Sequence, residues 1–518
     1  MSEQLIPSVL TVPYRPARSL TALVVALGLA VFGLARCYVD SALWLDEALS
    51  VSIARLPLSE LTGALRLDGS PPLYYVLLHL WMQVFGTGDL AVRLLSAVFS
   101  LAALPLAFAV GRRLRDATTG WCAVLLLAVS PFAVHYATET RMYALLVAEA
   151  LLLALAMLRA RQQPTLGRLA PLPVLTAALL YTHYWSLFLL GALGLLLLSW
   201  CGRGAGASTD RRLTLAVAVG GVLFAPWLPT FLEQVRHTGT PWAQPPGVDA
   251  FLLTVREWAG GPTTSGELLT VLLLALAAVG LLGRARTDPD GRAVLALRLP
   301  VDRTALALLW ITLGGLTLGL GAAMVGRSGY AFRYSSVVLA PGLLLAALGL
   351  AALPVRARAL VATLVVLTGG AGVLHQQLDQ PRTQAAQVAA VLRAQLRPGD
   401  LVVYCPDQLG PAVSRLLPPG TDQAVYPSFD RPERVDWRDY QVRNNAADPV
   451  SYAVTASRQT AGAVLLVWQG GYRTFGTQCQ DLAAQLKRSR GFQQPLVRPD
   501  GAFAEQHHLD RFPAVPGS

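Results

Sequence analysis

The sequence predicts a polytopic α-helical membrane protein with about eleven transmembrane helices, its N-terminus inside and its C-terminus outside, ending in an extracytoplasmic α/β domain. Three observations carry that reading. First, hydrophobic residues fill 54% of 518 positions and charged residues only 14%, against about 25% charged in ordinary soluble domains, and mean hydropathy is +0.48. Second, the charge is uneven: residues 381–518 hold 15 Lys/Arg and 12 Asp/Glu of the 73 charged residues in the chain, as expected of a globular domain following a membrane domain. Third, the arginines clump in alternate gaps between apolar runs. This composition excludes a disordered chain, a coiled coil and a disulfide-stapled miniprotein. The net charge of +11 is spread along these gaps and forms no patch, so nucleic acid is not an expected partner.

Each element follows from length and punctuation. A spanning helix needs about 20 mostly apolar residues, and eleven such runs start near Leu20, Ala91, Gly120, Met142, Leu169, Tyr184, Leu213, Glu267, Thr304, Ser335 and Ala359. Arg15/Arg18, Arg112/Arg113/Arg115, Arg159/Arg161/Arg168, Arg203/Arg211/Arg212, the five arginines from Arg284 to Arg303, and Arg356/Arg358 mark the cytoplasmic gaps, because cytoplasmic loops carry the positive excess. The domain plan is a cytoplasmic tail at 1–18, a membrane domain at 19–375 with a first outer loop at about 36–90, and the terminal domain at 376–518. No small-residue cleavage site follows the first run, so it reads as a retained span. In the first outer loop, Leu58, Leu61 and Leu65 after Pro57 predict a surface helix with Ser59 as its cap. Pro72 to Phe85 predicts a helix too short to span, stopped by Gly86, and Asp89 is expected to cap the next span.

After His375, Gln384–Leu396 has an amphipathic helical pattern. Leu401–Tyr404 and Ala463–Trp468 read as buried strands, Gln480–Arg488 as a helix, and Asp500-Gly501 as a hairpin turn. Cys405 and Cys479 lie in this domain. In an oxidising compartment they pair; two free thiols fit the sequence equally well.

The outer gaps hold the residues able to do chemistry. Asp46-Glu47 follows the first span in Trp44-Leu45-Asp46-Glu47, where a partly desolvated carboxylate can act as a base on a hydroxyl. The same residues also make a good helix start. Asp68 precedes Gly69-Ser70-Pro71-Pro72, which turn chemistry alone explains, while supporting Asp46 or binding a sugar hydroxyl or a metal is the alternative. Arg141 with Tyr143, and Arg333 with Tyr334, oppose the positive-inside trend. A guanidinium at this depth either snorkels to headgroups or grips a lipid phosphate in two-pronged fashion. Glu139, His183 and Tyr184 complete the set as supporting or substrate residues. A lone interfacial histidine is more often a packing residue, and no HxxxH or CxxC pattern provides the three or four ligands of a zinc site, so no metal site is expected.

Taken in order, Trp44-Leu45-Asp46-Glu47-Ala48, Asp68-x-Ser70-Pro71-Pro72-Leu73-Tyr74-Tyr75, Trp81 through Phe85-Gly86, Arg93-Leu94-Leu95-Ser96-Ala97 and Glu139-Thr140-Arg141-Met142-Tyr143 resemble the bacterial protein-O-mannosyltransferase-like and lipid A aminoarabinose transferase-like branch of the glycosyltransferase C (GT-C) superfamily. His183-Tyr184 and Arg333-Tyr334 fit the same pattern, and the resemblance covers residues 19–375. It implies a GT-C membrane enzyme of the cell membrane that takes a sugar from a polyprenyl-phosphate carrier and passes it to an envelope glycan, lipid or protein, inverting the anomeric centre. It implies Asp46 as the catalytic carboxylate with Glu47 beside it, and Arg141 and Arg333 as phosphate ligands. No cofactor is required, and a divalent cation is compatible. Ser70 stands where many relatives have histidine, which weakens any claim for a metal or a sugar contact at this position.

Other classes remain. A lipid-linked glycan polymerase or ligase is also polytopic but leans on outer-loop arginines. A transporter or flippase calls for ionisable residues within spans and internal symmetry, and the sequence has mainly Glu149 and no repeat. A membrane anchor displaying the terminal domain is a further reading.

Overall fold

The structure, a computed structural model, describes residues 28, 30–202, 206–240, 243–287, 293–297 and 301–514. Most of the run near Leu20, with Arg15 and Arg18, lies outside the described residues, as do Arg203, Arg292 and Arg298. Among the described residues, seven helices are long and apolar enough to cross a membrane: Asp89–Leu114, Tyr143–Gln162, Ala207–His237, Thr264–Leu282, Arg303–Val325, Phe332–Ala352 and Val355–Leu378. The pair Ala117–Ala128 and Pro131–Ala137, bent by 63°, makes an eighth if counted as one span. This is a multi-pass membrane protein. The count differs from the eleven expected because two further runs form only short apolar helices, Leu166–Thr182 and Ser186–Trp200, and the first run is described only in part.

The bend has a sequence cause. Pro131 occupies the first turn of the second piece, where its missing N–H costs nothing, and Ser130 Oγ accepts from Ala133 N. The orphaned carbonyls of the first piece are met by Arg36, which is fully buried and donates to Leu127 O (2.7 Å), Ala128 O (2.8 Å) and Ser100 Oγ (3.1 Å). A helix end inside an apolar body needs such partners.

Ser336–Ala352 is the central helix, with every residue but Gly342 and Ala351 buried. It packs most closely on Thr264–Leu282, where a Cβ added at Gly349 would lie 1.9 Å from Leu276 O. Small residues let membrane helices approach this way. Exposed Val84, Val174, Val222 and Leu367 lie on outward faces, as lipid-facing positions should. The arginine-rich gaps pair with one another at one end: Arg115 lies 3.6 Å from Asp302, Arg161 lies 3.3 Å from Asp210, and Arg113 donates to Gln162 Oε1 at 2.9 Å. Within the longest of these gaps, β1 (Gly283–Thr287) and β2 (Ala293–Leu297) form an antiparallel ribbon that the sequence reading did not foresee.

The first outer loop forms helices Leu45–Ala54, Leu58–Asp68 and Leu73–Phe85. Two expected caps are corrected. Pro57, not Ser59, precedes the second helix, and no side chain caps it. Gly88 precedes the Asp89–Leu114 helix, and Asp89 instead accepts from Arg415 at 2.6 Å, since a nearby guanidinium is a stronger partner than a backbone amide.

The chain ends in a five-stranded mixed sheet of order β4-β3-β5-β7-β6, built from β3 (Leu401–Cys405), β4 (Asp422–Val425), β5 (Val464–Trp468), β6 (Gln494–Val497) and β7 (His508–Phe512). β3 is buried throughout and runs parallel to both β4 and β5, whereas β7 is antiparallel to β5 and β6. Central parallel strands are near-continuous apolar runs, which is why Leu401-Val402-Val403-Tyr404 was readable and the short edge strand β4 was not. Cys405 and Cys479 are disulfide-bonded, tying β3 to the Gln478–Arg490 helix.

Candidate active site

Asp46 and Glu47 fall in the first turn of Leu45–Ala54, where the exposed N–H groups and the helix dipole favour negative charge. The two acids meet different surroundings. Glu47 is fully enclosed and ion-paired: Arg93 Nε and Nη2 donate to its two oxygens at 2.8 and 2.6 Å, Thr140 N donates at 2.9 Å, and Arg382 Nη1 lies 3.4 Å away. Burial alone would raise its pKa; the charges of Arg93 and then Arg382, with the hydrogen bonds, bring it down to about 2. Read from sequence as part of the catalytic pair, Glu47 is buried with both oxygens hydrogen-bonded.

Asp46 faces the other way. Its Oδ2 lies 3.3 Å from Arg333 Nη2 and 4.0 Å from Arg141 Nε, and its side chain keeps 13% exposure. Arg141 is in turn steadied by Ser50 Oγ and the Tyr75 hydroxyl, each at 3.2 Å. Tyr75 donates to Asp68 Oδ2 at 2.9 Å, so Asp68 does more than end a helix: it orients the tyrosine that orients Arg141. Burial holds the Asp68 carboxyl above its ordinary pKa, against the opposing pull of Arg141.

Aromatic rings line the arginines. Tyr143 lies edge-on to Tyr136 and tilted to His183 (centroids 4.8 and 5.9 Å), and His183 is tilted against Tyr334 (5.1 Å). The Arg333 guanidinium lies 5.8 Å from the Trp44 ring and 5.9 Å from that of Tyr334, within reach of cation–π attraction. The Tyr143 hydroxyl is buried without a hydrogen bond in the structure. His183 is neutral: burial first, then the charges of Arg141 and Arg333, lower its pKa to about 3. Its Nδ1 accepts from Trp185 N at 3.1 Å, leaving the proton on Nε2.

Of the sequence candidates, Asp46, Arg141, Arg333, Tyr143, Tyr334 and His183 come together, with Asp68 behind Arg141. Tyr184 does not join them; its hydroxyl donates to Gln234 and accepts from Trp227 Nε1. Glu139 is buried with Oε2 3.6 Å from His135 Nε2, beside the Thr140 amide that holds Glu47. Among the described residues no three His, Cys, Asp or Glu side chains gather as a metal site.

Sequence reasoning gave no role to Arg93, Arg382 and Glu505. Arg93 had a signal, since an ionisable side chain in a membrane helix needs a partner. Arg382 donates to Thr138 O and Thr138 Oγ1 at 2.7 Å as well as facing Glu47. Glu505 Oε1 accepts from Leu45 N at 3.2 Å, and nothing local marks either residue.

Residues 69–229 match the family model for dolichyl-phosphate-mannose-protein mannosyltransferases. No curated protein matches the chain by sequence. Among solved structures, the chain is similar to the crystal structure of ArnT from Cupriavidus metallidurans bound to undecaprenyl phosphate, at 15% identity and a TM-score of 0.63, covering 97% of this chain and 99% of that one. The apo crystal structure of the same protein gives 14% identity, a TM-score of 0.63, and coverage of 96% and 98%. In sequence over residues 69–229 and in fold over nearly its whole length, the chain is thus similar to the membrane glycosyltransferases of the GT-C superfamily.

Proposed function

We propose that this protein transfers a sugar from a polyprenyl-phosphate carrier to a hydroxyl of an envelope glycan, lipid or protein, with inversion at the anomeric carbon. The observation that carries the reading is the Asp46 carboxylate facing two guanidinium groups, 3.3 and 4.0 Å away, at the mouth of a helical membrane bundle. The similar ArnT is described bound to undecaprenyl phosphate, and the matching family is described by its dolichyl-phosphate donor; both favour a polyprenyl-phosphate donor.

The chemistry follows from the parts. Arg141 and Arg333 grip the donor phosphate, competing with Asp46 for the same guanidinium groups and so releasing its carboxylate. Asp46 then takes the proton of the acceptor hydroxyl as the oxygen attacks C1. The C1–O bond to phosphate breaks, its electron pair leaves on the phosphate oxygen, and the arginines stabilise that charge. Phosphate is a good leaving group, so no general acid is needed. The paired arginines bring positive charge of the kind a divalent cation would bring, and a cation remains compatible with the site. Tyr143, Tyr334 and His183 give the sugar an aromatic wall.

An extracytoplasmic active site at the cell membrane is supported by two features: arginine-rich gaps at the opposite end, and the Cys405–Cys479 disulfide, since disulfides persist in oxidising compartments. The polymerase or ligase reading has the arginines in its favour, but gives Asp46 no task. The transporter reading has Glu149, bonded to Thr182 at 3.0 Å, as its one feature.

The test is transfer from a panel of radiolabelled polyprenyl-phosphate sugars, with wild type beside Asp46→Asn. Turnover with one donor, reduced by at least about 10³-fold in the variant, is expected of a lost base within a preorganised site. An Asp46→Asn variant with near-wild-type turnover sinks the mechanism.

A further inference from the structure

We propose that the C-terminal domain is part of the active site, with Glu505 and Arg382 acting as positioning residues that fix the helix turn carrying Asp46. The proposal rests on the glycosyltransferase reading for what Asp46 does, but the clamp itself is a matter of geometry.

The helix Leu45–Ala54 starts without a side-chain cap of its own; Trp44 at the cap position offers none. The missing acceptor comes from 460 residues away, as Glu505 Oε1 receives the Leu45 N–H at 3.2 Å. Its other oxygen accepts from Thr383 Oγ1 at 2.5 Å. The segment bearing Thr383 is laced to Glu505 along the backbone: Glu505 N donates to Arg382 O at 2.8 Å, and Gln384 N donates to Glu505 O at 2.9 Å. Arg382, the next residue back, reaches Glu47 at 3.4 Å. One two-stranded strut therefore holds Leu45 through Glu505 and Glu47 through Arg382, and Asp46 lies between them.

Side chains that cap the domain's own helices have sequence-local alternatives such as Ser or Asp at the cap. Here the cap is delegated to a residue that reaches the helix only when the C-terminal sheet is docked. The docking is itself extensive. Leu45 packs in one hydrophobic cluster with Tyr440, Phe475 and the disulfide pair. Arg415 pairs with Asp89, Trp437 N donates to Leu67 O at 2.9 Å, and Arg473 Nη1 donates to Ala243 O at 2.5 Å. A terminal domain serving only as a separate binding module would not need to hold the acid turn. The consequence is that removing Glu505 should loosen Asp46 while leaving Arg141 and Arg333, and so donor binding, in place. Misplacement of a reacting group by about 1 Å costs up to ~10²-fold in rate.

The experiment uses the full chain in lipid nanodiscs, comparing wild type with Glu505→Ala and Glu505→Gln. Peptide-level hydrogen exchange over Leu45–Ala54 reads the clamp directly, and transfer kinetics read its consequence. Expected for Glu505→Ala are exchange at least tenfold faster in the first turn of that helix and a kcat at least tenfold lower, with KM for the donor within twofold. Glu505→Gln keeps an oxygen for Leu45 N–H and should restore kcat to within about threefold. If Glu505→Ala fails to accumulate, Thr383→Val, which removes only one hydroxyl, is expected to lower kcat severalfold with KM unchanged. Unaltered exchange and kcat in Glu505→Ala overturn the proposal, and so does a loss shared equally by kcat and donor binding. Exchange needs no turnover. A wild-type chain inactive with every donor but carrying the exchange difference would therefore refute the glycosyltransferase reading and keep the clamp.

Discussion

Glu47→Gln tests the division of labour between the adjacent acids. Glu47 has no exposure and balances Arg93 and Arg382, whose side chains are 4% and 8% exposed. Removing its charge leaves two buried guanidinium groups without their counter-ion. Breaking a buried pair in this way costs about 3–5 kcal/mol. The same charges hold the Glu47 carboxyl below its ordinary value of 4.5, at about 2, which corresponds to about 3 kcal/mol of stability at neutral pH. The sign is that of a depressed carboxylate. The contribution is complete above the unfolded value near 4.5 and is lost as pH falls from there through about 2. Thermal unfolding in detergent should show Glu47→Gln losing many degrees at pH 7, with the gap to wild type narrowing below pH 4.5. Asp46→Asn, whose acid is partly exposed, should unfold within a few degrees of wild type. Wild-type thermal stability in Glu47→Gln, combined with abolished transfer, would refute the argument and make Glu47 a reacting group.

Arg333→Lys and Arg141→Lys keep the charge but lose the planar fork, and each should lower transfer by about 10²-fold; wild-type rates in both would remove the arginines from phosphate binding. Cys405→Ser with Cys479→Ser opens a link spanning 74 residues and should cost about 2–5 kcal/mol, visible as a lower midpoint of thermal unfolding. An unchanged midpoint would mean that packing alone secures the sheet.

Much of the site was legible because membrane topology sorts residues. The positive-inside bias removes arginine from outer gaps, so Arg141 and Arg333 stood out by contrast, and the structure puts both against Asp46. Asp68 was readable as a turn residue with a supporting role as the alternative; its link to Arg141 runs through Tyr75, seven positions on, a relay that the turn motif does not announce. Tyr184 was grouped with its neighbour His183, but one residue later the chain has turned and its hydroxyl meets Gln234. The terminal sheet was legible where strands are central and apolar, and illegible at Asp422–Val425, where one edge is exposed. Glu505 and Arg382 had no local signal at all. Their partners are set by the docking of two parts of the chain far apart in sequence, which periodicity does not encode.

The opposite fates of Asp46 and Glu47 come from helix geometry. Consecutive residues on a helix point about 100° apart, whereas residues four apart share a face. Ser50, four beyond Asp46, faces the same side and holds Arg141 through its hydroxyl, so one helix face presents the acid and steadies one of its arginines. Glu47, rotated off that face, meets Arg93 from the next long helix and Arg382 from the C-terminal strut. A base must exchange partners during turnover, so it needs competition and some access to water. The residue that fixes its position needs the reverse: full burial and saturated hydrogen bonds. Placing both in one turn lets the second rigidify the first without drawing on its charge, so that in the proposed mechanism a neighbouring pair of carboxylates serves a single catalytic base.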